Sequence, residues 1–400
     1  LGTMMTRSGI VESVHAFAQS SIGVYFGVFL LITLVVTIGL LLYRAKDLRP
    51  ESQLESVLSR EFAFLINNWV LLAAAFFVTF ATLFPALYKW LSGGQEINVG
   101  PAFFNLWMIP IGIVLLFLTG VGPLLSWRKS TGATLRQQFM MPGSVGVAGT
   151  ALAAWLSQEA YGKFSLVAVT TFGLCTFVTG TVVQELWRGA SYRMKNAQEG
   201  AVDAVLTLFG RARRRYGGYV VHFGVVLMFV GFAGESFKIE LQSTLTKGES
   251  VTAGDYRVQL DALRFEDDGQ KTMVTADLSV FDRDTGAALT KMSPAKWAYR
   301  KPEEQVTTEV DKYMTVAGDL YLVLGGYDAA TGKAVLQVKV NPLVNFVWLG
   351  TSFLMLGFAI AVWPERKGAP VPLWSRQAAM AATGWATMLV GVLALAMAFV

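Results

Sequence analysis

The chain has 400 residues, of which 54% are hydrophobic and only 15% charged. Its mean hydropathy of +0.48 excludes a water-soluble globular protein and points to a polytopic α-helical membrane protein. The net charge of +5 sits in short links between apolar runs, as in cytoplasmic loops, which argues against a nucleic-acid partner.

Residues 1–21 read as a segment outside the bilayer that holds Arg7, Glu12 and His15. The opening Leu1-Gly2-Thr3-Met4-Met5 has no basic n-region or signal cleavage site. It reads like the tail of something apolar, so a fragment or shortened form of a longer protein is expected. Apolar runs follow at Ile22–Tyr43, Phe62–Leu91, Phe103–Leu125, Pro142–Leu156, Phe164–Trp187 and Tyr216–Phe237. A span needs roughly twenty residues, so the fourth run is short for a crossing. Ser59 is placed to cap the second helix. Two further runs, Leu343–Trp363 and Ala378–Val400, complete eight predicted spans.

Lys and Arg concentrate in the links 44–60, 127–141, 188–215 and 364–377, and are nearly missing from 92–102 and 157–163. These sets alternate correctly only if the fourth run is counted. The basic links are then cytoplasmic, and His15 and the polar stretch after Phe237 face the periplasm of a bacterium. Within that stretch YRVQLDALRF, TMVTADLSVF, DLYLVLGGY and KAVLQVKV alternate or are rich in β-branched residues. DRDTGAAL and DAATGKAV place glycine where hairpin loops need positive φ. The domains expected are a periplasmic segment 1–21, a six-span membrane domain 22–237, a periplasmic β-rich domain 238–342 inserted between spans six and seven, and two C-terminal spans 343–400.

The protein has two histidines and one cysteine. Cys175, inside a span, reads as a small apolar residue. It leaves neither a disulfide framework nor a thiolate metal cluster available. His222 lies six residues, roughly 9 Å, into its span. Gly217, Gly224 and Gly231 recur every seven residues and form a seam for close helix approach. His222 points about 140–160° away from that seam, on a face with Gly218, Val226, Phe229 and Ala233. A bare glycine beside an imidazole leaves room for a large flat cofactor, and neutral imidazole is a common haem ligand. A proton relay or an interhelical hydrogen bond would also explain an intramembrane histidine. His15 is a second candidate ligand, with Glu12 able to orient its ring in a helix; a solvated juxtamembrane histidine is the plainer alternative. No Ser-His-Asp set, phosphate loop or intramembrane carboxylate is read from the spans, which counts against hydrolysis and coupled transport.

RSGIVESVHAFA, REFAFLINNWVLL with TLFPAL, RYGGYVVHFGVVLMFVGFAGESF, VTTEVDKYMTVAGDLYLVLG and KVNPLVNFVWLG occur in this order. Together they resemble the CcmF family, the integral-membrane haem lyase component of cytochrome c maturation. The resemblance implies that His222 is one of two axial ligands of an intramembrane haem b. It implies that His15 is one of two periplasmic histidines holding the incoming substrate haem, the catalytic position. It also implies attachment of haem to the CxxCH cysteines of apocytochrome c, with a CcmE-like haem chaperone and CcmH/CcmI-like proteins as partners. The family's tryptophan-rich haem-handling tract and both missing histidines would lie upstream of Leu1, so the chain reads as a C-terminal part. The eighth span extends beyond the family pattern. A non-catalytic haem-binding scaffold that docks the chaperone and apocytochrome is the alternative, and a small-molecule transporter a second.

Overall fold

A computed structural model gives the fold of residues 22–48, 54–300 and 305–363. His15 and the predicted eighth span lie outside these described residues. Among them, seven helices are long and apolar enough to cross a membrane. They are α1 (Ile22–Tyr43), α2 (Arg60–Leu91), α3 (Pro101–Leu124), α4 (Gly132–Tyr161), α5 (Leu166–Ala197), α7 (Arg213–Ala233) and α8 (Asn345–Val362). A short helix, α6 (Ala201–Arg211), precedes α7, and strands fill the interval from Ile239 to Pro342.

Two expectations are corrected. The fourth run is not short: α4 covers 30 residues and carries Pro142 inside it, which membrane helices tolerate where neighbours satisfy the freed carbonyl. The basic link 188–215 is not a loop. α5 runs on to Ala197, and α6 turns its small and aliphatic side, Ala204 and Leu208, into a cluster with Val182, Ala190, Tyr216 and Tyr219.

The chain divides into two compact units, Leu1–Gln138 and Phe139–Val400. In the first, Ser59 caps α2 as expected, its Oγ accepting from Phe62 N at 3.1 Å. Arg60 donates to the last carbonyls of α3, those of Gly122, Pro123 and Leu125. Phe77 packs against Phe103, Phe104 and Trp107, so α2 and α3 form an antiparallel pair.

In the second unit α7 is held on two sides. The glycine seam meets α8 directly: a Cβ on Gly217 would stand 2.8 Å from Gly357 O, and one on Gly224 2.7 Å from Gly350 O. Gly350 and Gly357 return the same closeness to α7, so two glycine-bearing faces lie in backbone contact. On another side α5 packs against α7, with Cys175 Sγ 3.6 Å from Val226 O and Ala168 clustered with Ala233 and Phe237.

After Ala233 a 3₁₀ turn, Gly234–Phe237, leads into β1. The strands are β1 (Ile239–Leu245), β2 (Ser250–Ala253), β3 (Tyr256–Asp267), β4 (Lys271–Asp282), β5 (Ala288–Met292), β6 (Ala295–Tyr299), β7 (Gln305–Glu309), β8 (Asp311–Thr315), β9 (Gly318–Asp328) and β10 (Lys333–Pro342). One sheet has the order β1-β10-β9-β8 and the other β2-β3-β4-β6-β7, with β5 on β4. Their inner faces share one core, which includes Leu260, Leu278, Leu322 and Leu336. The alternation of β9 and β10, one residue in and one towards solvent, is what a sheet covered on one face requires.

Candidate functional site

His222 is carried by α7 on the side away from the glycine seam. Its Nδ1 is buried and has no hydrogen-bond partner. Leaving a buried polar atom unpaired costs about 1–3 kcal/mol, so this nitrogen is a standing deficit within the fold. One turn earlier Gly218 faces open space, with nothing within 4 Å of an added Cβ. The other three glycines of α7 before Ala233 are tightly packed. Phe232, further along the open side, is also exposed.

The face predicted around His222 is therefore only partly free. Val226 and Ala233 are closed over by α5, and the imidazole stands at the border between that contact and the open strip at Gly218. What remains is a shallow apolar strip at Gly218, with an imidazole beside it whose Nδ1 is buried and unpartnered.

The reading of spans without carboxylates is corrected by Glu185 in α5, whose side chain is only 5% exposed. It accepts from Arg188 Nη1 at 2.9 Å, Arg215 Nη2 at 2.5 Å and the Tyr219 hydroxyl at 3.1 Å. Tyr219 in turn sets its ring nearly edge-on to His222, with centroids 6.3 Å apart and planes at 70°. The signal was present in the sequence: a glutamate inside an apolar run, three residues before an arginine, is rare enough to mark a paired or functional group.

At the opposite end of the helices, Tyr161 of α4 stacks on Phe237 at 4.3 Å. Lys163 Nζ donates to Ser236 O at 2.9 Å. The lysine-poor link after α4 thus lies on the side of the β domain, as loop charge predicted, and the arginines before α7 lie at the other end. Among the described residues no group of three His, Cys, Asp or Glu is placed to hold a metal ion.

Comparison with known proteins matches residues 236–342 to the CcmF C-terminal β-sandwich family. The chain is 29% identical over 386 residues to the cytochrome c-type biogenesis protein CycK of Bradyrhizobium diazoefficiens, covering 94% of this chain and 56% of that one. It is 28% identical over 389 residues to the cytochrome c-type biogenesis protein CcmF of Pseudomonas aeruginosa, covering 94% and 55%. A solved structure described as the cytochrome c haem lyase CcmF superposes with a TM-score of 0.61 at 25% identity, covering 77% of this chain and 46% of that one. The chain spans about half the length of the curated relatives it matches. Its long apolar helices and β domain make it a multi-pass protein of the bacterial inner membrane, with the β domain in the periplasm. Along nearly its whole length, and in the fold of its β domain, the chain is similar to the CcmF-type cytochrome c-type biogenesis proteins.

Proposed function

We propose that this chain is the part of a haem lyase that carries one axial ligand of an intramembrane haem b, His222, and one ligand of the substrate haem, His15. The observation that carries this reading is the buried, unpartnered Nδ1 of His222 beside the open strip at Gly218. The residues fit the group. An imidazole nitrogen without a protein partner is available to iron, Gly218 leaves space for a porphyrin edge, and Phe229 and Phe232 offer apolar cover. Of the two histidines in the sequence, His222 would hold haem b and His15 the substrate haem.

Haem b, when bound, supplies a one-electron centre that can keep the incoming iron reduced. His222 holds its place in the membrane, and the α7–α8 seam holds His222. His15 would hold the substrate haem while each CxxCH thiol of apocytochrome c adds across a vinyl group. In that addition sulfur bonds to the carbon next to the porphyrin ring and a proton ends on the terminal carbon. The β domain would dock the CcmE-like chaperone, CcmH/CcmI-like proteins and apocytochrome.

His222→Ala in the full-length protein is expected to abolish the b-type absorption spectrum after purification. An unchanged haem spectrum would show that the ligand lies elsewhere. His15→Ala is expected to leave that spectrum intact and to remove holocytochrome c formation in cells. Normal holocytochrome yield would sink the role assigned to His15.

A further inference from the structure

The charged cluster around Glu185 has consequences for His222, on the reading that His222 is an iron ligand. A carboxylate buried within a span is costly unless paired and hydrogen-bonded. Glu185 meets both conditions through Arg188, Arg215 and Tyr219. Arg215, Tyr219 and His222 follow one another at spacings of four and three on α7, so they form one stripe. Tyr219 is the shared member. Its hydroxyl accepts from Arg215 Nε at 3.3 Å and donates to Glu185. Tyr216 packs against the Tyr219 ring at 5.8 Å, and the Tyr219 and His222 rings stand 6.3 Å apart with their planes at 70°.

Packing alone needs only a phenylalanine there. The hydroxyl, tied to a carboxylate on a different helix, fixes the ring in rotation as well as in place. Metal-binding histidines are ordinarily oriented by a hydrogen bond from the second ring nitrogen to a carbonyl or carboxylate. Among the described residues neither ring nitrogen of His222 has such a partner, so whichever nitrogen takes the iron, the plane of the imidazole is left to its packing neighbours, of which the Tyr219 ring is one.

We propose that Glu185 is a positioning residue that, by anchoring Tyr219 from α5, sets the ring plane of His222 and so the orientation of that axial imidazole on haem b. The test uses the full-length, haem-loaded protein and the electron paramagnetic resonance spectrum of its low-spin ferric haem. The g values of that spectrum report the relative orientation of the two axial ring planes. Tyr219→Phe and Glu185→Gln are each expected to keep the haem and to move the largest g value in the same direction, with a broader signal. Tyr219→Leu, which removes the ring, is expected to move it further. A purely structural network would lower thermal stability and haem content without changing the spectrum of the haem that remains; that outcome overturns the proposal. If Glu185→Gln alone does not fold, Glu185→Gln with Arg215→Gln removes both charges, and the same spectral shift is expected. The earlier ligand assignment fails separately, through an unchanged spectrum in His222→Ala, whatever the Glu185 variants do.

Discussion

Two glycines one residue apart in phase illustrate how position on α7 decides what a side chain costs. A methyl group on Gly224 would collide with the backbone of Gly350 and Leu354, whereas one on Gly218 would meet nothing within 4 Å. Gly224→Ala is therefore expected to lower detergent-phase thermal stability, at about 1–3 kcal/mol for overpacking, and Gly218→Ala to leave it unchanged. Gly218→Leu tests the haem reading at the same position: normal stability with reduced b-type haem content is expected, and full haem content would show that the strip is not used. The seam and the direction of His222 were legible because helical phase is local and needs only the sequence. Glu185 was not read, since one charge barely lowers the average hydropathy of a long run. That α5 would close over Val226 and Ala233 was not legible either, because nothing in α7 states which neighbour covers which face.

Between elements, the NPLVN segment turns out to be a clasp. Asn341 Nδ2 donates to Asp319 Oδ1 at 2.7 Å. Leu343, at φ +63°, points its N–H at Ala317 O, 2.6 Å away. Asn345 Nδ2 reaches Thr315 O at 2.6 Å and Gly318 O at 3.2 Å. The start of α8 thus grips the β8–β9 turn. Asn345→Ala is expected to speed amide hydrogen exchange in the 315–318 turn, with a stability loss of about 1–3 kcal/mol for the stranded carbonyls; unchanged exchange would show the clasp to be idle. At the root of β1, Lys339 and then Lys238 hold the Glu240 carboxyl below the ordinary carboxylate range. Its contribution is present above that range and fades as pH falls through the lowered folded value, so Glu240→Gln is expected to flatten the acid limb of thermal stability slightly, the side chain being half exposed. The long strands β3, β4, β9 and β10 could be read from alternation, and the hairpin glycines Gly286 and Gly332 do adopt positive φ. The short strands β5 to β8 carry too few residues for a period to register, and their state is set by the ladders they complete.

For the whole chain, orientation is the property most open to direct measurement. Val316 at the β8–β9 tip is 84% exposed and Val202 at the start of α6 is 71% exposed, while Cys175 is buried. Val316→Cys is expected to react with a membrane-impermeant maleimide in intact spheroplasts, and Val202→Cys only after lysis; the reverse order would invert the topology. Loop charge made this orientation legible because it is a sum over many residues. The β domain leaves the membrane through Gly234–Phe237 and Lys238 and returns through Leu343 and Val344. The helices at its base lie in backbone contact, and the strands that continue them, β1 and β10, pair along their whole length from Ile239↔Val340 to Leu245↔Ala334. A helical hairpin thus passes into a strand hairpin with almost no slack. A domain on a loose tether would sample a cone of directions and reward a partner only by local concentration. This one has no such freedom, so a protein bound to the sandwich stands at a fixed height and bearing above His222, and lengthening either junction would disturb alignment before it disturbed binding.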